Sequence, residues 1–214
     1  MLMPTDTPDI RPFHRVAVLA SIEVVNRVRL ADLDRPTPCA GWTLADLLAH
    51  MTVQHRGFAA AARGFGADPE VWRSDTMVDA IRIAPGPTYA EASQDVLEAF
   101  ADAAAPEAPF RLAEFGPDAT FPGALAMGFH FVDYVVHGWD VAEALGVGYD
   151  LPAEVTAAAL PLALAVPDGE FRASAGAPFG PAVDGAHATE LERILRHLGR
   201  RPDWAQEYST VTGA

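Results

Sequence analysis

Apolar positions recur along this chain at the period of a helix, and the alternation of a sheet protein is missing throughout. Between residues 13 and 33, Val16, Leu19, Val25, Val28 and Leu33 recur at roughly helical spacing, leaving Arg15, Glu23, Arg27 and Arg29 to face water. "DRPTPCAGW" (34–42), with two prolines and a glycine, ends that first predicted helix. The second begins at "TLAD", where the Thr43 hydroxyl can accept a first-turn N–H and Asp46 sits at the third helical position. It should run over 44–63, with Leu47, Leu48 and Met51 forming much of its apolar side and Gly64 at its end. Residues 66–87 carry the turn signals "GADPE" and "APGPT", with a short helix over 76–83. A second capping pattern, Thr88 to Glu91, predicts a long helix to 105 through Val96, Leu97 and Phe100. Segment 106–121 reads as a loop holding one or two short strands.

Pro122 suits the first position of a helix and Gly146 the position just past its end, which predicts a fourth long helix of roughly 24 residues. A fifth covers 152–165, a Gly-, Pro- and Ala-rich loop 167–186, and a last helix of surface pattern 187–198, before Gly199. The fold class expected is all-α: a four-helix bundle over about 13–146 with a C-terminal helical addition over about 147–205, in one domain.

Composition narrows the partners. Half of the 214 residues are hydrophobic, enough for a sizeable core. Asp and Glu total 29 against 15 Arg and no Lys, a formal net charge of −14. Such a chain is repelled by phosphate backbones and anionic lipid, so neither nucleic acid nor a membrane is an expected partner; a small molecule is, with the protein a monomer or homodimer. Cys39 is the one cysteine, so no internal disulfide can form. The first residues lack the basic-then-apolar layout of a signal peptide, and nowhere do 18 apolar residues run together; a cytoplasmic protein is expected.

The chemistry concentrates in "HFVDYVVHGWD" (130–140). On a helix, His130, Asp133, His137 and Asp140 share one stripe among Phe129, Phe131, Val132, Val135 and Val136. Asp133 and His137, four apart, can reach one metal ion, making two of the three protein ligands usual in a catalytic zinc site. His50, mid-way along the second helix, is the best candidate for the third. His55 lies about 140° further round and faces elsewhere. His14 sits near the start of helix one, and His187 and His197 on the last helix. The spacing alone also admits plainer roles: a helix ion pair for Asp133 and His137, and a hydrogen-bonded core residue for His50. The nucleophile pattern GxSxG, the GxGxxG fingerprint and the P-loop are absent.

Three stretches in order, "TPCAGWTLADLLAHM", "DYVVHGWDVAEALG" and "LGRRPDW", resemble the mycothiol-dependent maleylpyruvate isomerase family within the wider DinB-like superfamily, nearest its short actinobacterial metal-binding members. The resemblance spans roughly residues 13–204. It implies a divalent metal, most commonly zinc with nickel or iron as alternatives, held by His50, Asp133 and His137, and mycothiol as co-substrate. The family pattern has Glu where this chain has Asp133, one methylene shorter, which leaves metal identity open. Asp140 would accept a hydrogen bond from a ligand imidazole, or serve only a packing hydrogen bond. His130 and Tyr134 are candidate catalytic or cavity-wall residues. Cys39 belongs to the loop motif and, like Trp42 and Trp139, is read as packing. The function implied is a mycothiol-dependent transferase or isomerase in which the metal activates a thiolate or a substrate carbonyl. The alternatives are thiol-independent Lewis-acid cyclisation or isomerisation, non-haem iron chemistry, and a non-catalytic metal-binding protein.

Overall fold

The computed structural model describes residues 9–102, 104–173 and 179–204. The chain runs through α1 (Arg11–Val25), α2 (Leu44–Ala62), the short α3 (Val78–Ile83) and α4 (Pro85–Ala101). An antiparallel hairpin of β1 (Pro109–Arg111) and β2 (Thr120–Pro122) leads into α5 (Gly123–Leu145). Then come α6 (Ala153–Leu164), the short α7 (Glu170–Ala173) and α8 (Glu190–His197). Both α1 and α2 pack against α4 and α5, which makes the expected four-helix bundle; α6 and α8 pack on one another, with α6 lying on α1 and α5. No helix among the described residues is long and apolar enough to cross a membrane.

The second helix follows its sequence signals closely. Thr43 Oγ1 accepts the Asp46 N–H and Asp46 Oδ2 accepts the Thr43 N–H, a reciprocal capping box, and Leu47, Leu48 and Met51 are fully buried. Gly146 ends α5 in the left-handed conformation (φ 69°), its N–H returning to the Ala142 and Glu143 carbonyls. Pro122 stands one position earlier than expected, as the N-cap.

Several expectations need correction. The first helix ends at Val25, not at 33. Beyond it the side chains of Arg29 and Arg35 converge on buried Asp32, at 3.0 and 3.1 Å, and these side-chain bonds hold a short 3-10 turn in place of further helix. Its core face also differs. Val16 and Leu19 are more than a third exposed, whereas His14, Ala17, Val18, Ser21, Val24 and Val25 are buried. The polar members His14 and Ser21 belong there because they bond to His130 and Tyr89 inside. Finally, α4 starts at Pro85 and stops at Ala101, and Thr88 does not cap it. Prolines 85 and 87 need no N–H in a first turn, and the Thr88 hydroxyl donates instead to the Ala80 carbonyl. The C-terminal helix begins at Glu190, capped by Thr189, rather than at 187. Of the loop expected over 167–186, Glu170–Ala173 form α7, and residues 174–178 lie outside the described residues.

Two close contacts fix how the addition meets the bundle. Tyr149 lies flat against α5 at Gly138, and its hydroxyl donates to the Tyr134 carbonyl at 3.3 Å. A Cβ on Gly138 would land on the Tyr149 phenol. After α8 the chain turns at Gly199, and the Arg200 guanidinium enters the bundle. There Nε reaches Asp140 Oδ1 at 3.0 Å and Nη2 reaches Oδ2 at 2.9 Å, a two-point grip on a carboxylate with no exposure to solvent.

Both contacts give expected outcomes. Gly138→Ala should lower unfolding free energy by about 1–3 kcal/mol in urea titration, because the helix and the tyrosine cannot both keep their places. Arg200→Ala leaves the Asp140 charge buried without its cation and should cost about 3–5 kcal/mol in the same measurement.

Candidate metal centre

Facing helices bring the candidate ligands together. His50 lies two turns into α2, and Asp133 and His137 share a face of α5. One ligand atom from each, all within 4.8 Å of one another, forms a group able to hold a metal ion. His137 Nε2 stands 3.3 Å from Asp133 Oδ1. His137 is nearly buried, Asp133 keeps 21% of its side chain open to solvent, and His50 is half-buried. The group therefore has an open side. Trp42, 37% exposed, sets its ring 4.9 Å from that of His50, and the His50 and His137 rings meet edge-on at 5.3 Å.

Asp140, one turn past His137, accepts from His137 Nδ1 at 2.8 Å. In the neutral ring that bond places the proton on Nδ1 and leaves Nε2, the nitrogen beside Asp133, with the lone pair a metal would take. Asp140 is also held by Arg200; burial works against its anion, and the charges and hydrogen bonds of Arg200 and His137 together outweigh that and keep the carboxyl well below its usual range. A second ligand-type group, Cys39, His137 and Asp140, also falls within 4.8 Å. The Cys39 thiol donates to Asp140 Oδ2 at 3.2 Å, and Arg200 Nη2 lies 3.2 Å from the same sulfur. A guanidinium cation thus already stands at this second group.

The electrostatics of the first group call for positive charge. Burial alone would push His137 down, but Asp133, Asp140 and Cys39 together hold its imidazolium well above the ordinary histidine value. Burial likewise disfavours the Asp133 anion, and chiefly His137, by charge and hydrogen bond, with Arg200 further off, reverses that and lowers its pKa. His50 is pushed down to about 4, first by burial and then by the His137 charge, and so is neutral at physiological pH.

The other histidines separate into a different assembly. His14 is fully buried on α1, its Nε2 2.8 Å from His130 Nδ1, and His130 Nε2 lies 3.2 Å from His55 Nδ1. His130 thus has both nitrogens engaged inside the core and no exposure, in place of the cavity-wall position expected from its stripe. Tyr134 is equally interior. Its hydroxyl donates to the Met51 carbonyl and its ring stacks on His55 at 3.9 Å and on His130 at 4.2 Å. His55 Nε2 has no partner among the described residues. N–H groups directed from His55 through His130 to His14 leave only a lone pair unmatched there, cheaper than a stranded donor. Burial depresses all three histidines, His14 to about 3. His187 is exposed, and the His197 ring sits against the Val166 carbonyl at 3.1 Å.

Sequence reasoning passed over three residues around this group. Arg200 lay within "LGRRPDW" but carried no spacing signal toward Asp140, 60 residues earlier. Gln54 follows His50 by one turn of α2, and a helical projection from His50 finds it. Its amide donates to Glu114 Oε2 at 2.7 Å. Glu114 sits on a short 3-10 turn (Ala113–Phe115) in the loop between β1 and β2, where only the hairpin delivers it. A surface hollow lined by Arg56, Glu91, Ala92, Gln94, Asp95 and Glu98 contains none of these residues, so chemistry rather than concavity locates the candidate site.

Comparison with known proteins agrees with this architecture. An uncharacterized protein of Mycobacterium tuberculosis, recorded in two strains, is 30% identical over 166 residues, 78% of this chain and 83% of the relative. The crystal structure of the mycothiol-dependent maleylpyruvate isomerase matches with a TM-score of 0.63 at 17% identity, covering 95% of this chain and 94% of that one. A histidine-to-alanine mutant of it matches at 0.66 and 15% identity over the same shares. At those identities the likeness speaks for the fold, a DinB-like helical bundle. Residues 15–142 match the family model described as the mycothiol maleylpyruvate isomerase N-terminal domain, and the chain belongs to that family.

Proposed function

We propose that this protein is a metal-dependent, thiol-using enzyme, a mycothiol-dependent transferase or isomerase, with one divalent metal held by His50, Asp133 and His137. The observation that carries the reading is the convergence of those three ligand atoms on two facing helices within 4.8 Å, with His137 aimed by Asp140. The donor set fits. Atoms about 2.0–2.2 Å from a tetrahedral zinc ion stand roughly 3.3–3.6 Å apart, and His137 Nε2 and Asp133 Oδ1 are at 3.3 Å. Two imidazoles and a carboxylate suit zinc first, and nickel or iron(II) as well.

When bound, the metal supplies a Lewis-acid position that keeps a thiol ionised near neutral pH or polarises a carbonyl. The residues of this chain then have separate tasks. Neutral His50 and ionised Asp133 are partly open to solvent, so the free side of the group faces the approaching substrate. Asp140 holds the His137 tautomer, and Arg200 holds Asp140. Trp42 limits rotation of the His50 ring. His130 and Tyr134, whose polar atoms bond within the core, act in this reading as packing residues and not as proton carriers. The family match and the fold support thiol chemistry on a small molecule.

Purified protein should hold about one divalent metal per chain by elemental analysis, and His137→Ala should lose most of it; no stoichiometric metal in wild type grown with zinc, nickel and iron would overturn the site. Turnover of electrophilic substrates, tested on maleylpyruvate and on uncharged analogues of it, should require mycothiol. Asp133→Ala should abolish it, Asp133→Glu retain part, and Cys39→Ser keep most. Turnover that ignores the thiol would instead favour direct Lewis-acid or iron chemistry.

A further inference from the structure

The open side of the candidate metal group has a charge and an apolar edge that the metal reading leaves unexplained. Glu114 is exposed, yet its carboxylate is tied to α2 through Gln54, a residue only 6% exposed. Gln54 stands one turn from His50, so Glu114 is fixed beside the ligand group by a buried hydrogen-bond donor and does not swing freely in solvent. The charge that acts on it among the described residues is that of an anion, Asp133. Desolvation of the carboxylate where it meets α2 raises it to about 7, the Gln54 hydrogen bond opposes that, and the charge of Asp133 adds to it. Arg200 is the one arginine whose charge reaches His50 and Asp133 among the described residues, and its guanidinium is committed to Asp140.

Beside Glu114, Phe115 is half exposed and joins Phe121 and Phe129 in a three-ring cluster with centroids 5.3–5.9 Å apart. Phe129 lies one turn before Asp133 on α5. A ligand nearing the open side therefore meets two carboxylates and an aromatic edge. Neither welcomes an anion, and aromatic faces accept apolar or cationic groups.

We propose that Glu114, held in place by Gln54, is a specificity-determining residue of this site. It admits thiols and electrophiles that are neutral or positively charged near the reacting end and disfavours those carrying a carboxylate there. The inference rests on the metal-and-thiolate reading above and names the class of small molecule that reading takes. At several ångströms and a partly screened dielectric, one carboxylate opposing another changes affinity by about three- to tenfold.

Binding tests this without turnover. Cobalt(II)-loaded protein is titrated at pH 8, where Glu114 is ionised, with 2-mercaptoethanol and with 3-mercaptopropionate, following the thiolate-to-cobalt absorption. Each affinity is compared between wild type and Glu114→Gln, which keeps an acceptor for Gln54, so that the intrinsic basicity of each thiol cancels. The variant should bind 3-mercaptopropionate about three- to tenfold more tightly than wild type does, with 2-mercaptoethanol unchanged within twofold. Equal shifts for the two thiols, or none, would overturn the role of Glu114 while leaving the metal reading standing. Loss of cobalt in Glu114→Gln would make Glu114 part of the metal set and overturn it too. Failure of wild type to take up cobalt would overturn the metal reading and this inference with it.

Discussion

The carboxylate of Asp140 is the point on which both the fold and the candidate site depend. It is fully buried, and an isolated charge there would not be tolerated. It is matched on one side by the two-point grip of Arg200 and on another by His137 Nδ1, with the Cys39 thiol as a third donor. One side chain on α5 thereby joins the segment after α8, the loop before α2 and the imidazole that faces Asp133. Removing Arg200 leaves the Asp140 charge unmatched beside His137, so the C-terminal addition and the ligand geometry are coupled by electrostatics rather than by apolar contact alone.

The bundle uses histidine in two opposite ways. His14, His130 and His55 are wholly interior; they bond one another, burial keeps them neutral, and they fill space against Phe58, Phe100 and Tyr134. His50 and His137 meet edge-on beside a partly open carboxylate, where the surroundings of His137 favour a positive charge and His50 stays neutral. Residue type is the same in both. What separates them is whether the partner is another neutral ring or an anion, and whether any part of the group faces water. A metal needs the second arrangement, since a cation is stabilised by carboxylate and requires a side open to its ligand.

The sequence by itself determined the helical frame and the residues that could bear chemistry. Helical periodicity and the capping box at Thr43 placed α2 almost to the residue, and the Pro122-to-Gly146 span placed α5, because those signals act within one or two turns of chain. The i, i+4 spacing put Asp133 and His137 on one face for the same local reason, and the resemblance over the three motifs pointed to His50 as their partner. Local signals failed where side chains act across the fold. The first helix was read too long and its core face misassigned because Asp32 gathers two arginines into a turn, and because His14 and Ser21 are buried by partners on other helices. Only the tertiary structure decided that His130 lies with His14 and His55 in the core. It alone brought Arg200 to Asp140 across 60 residues and set Glu114, on a hairpin turn, against Gln54. Charge pairing and desolvation depend on distance in space, and a helical sequence pattern records distance only along its own axis.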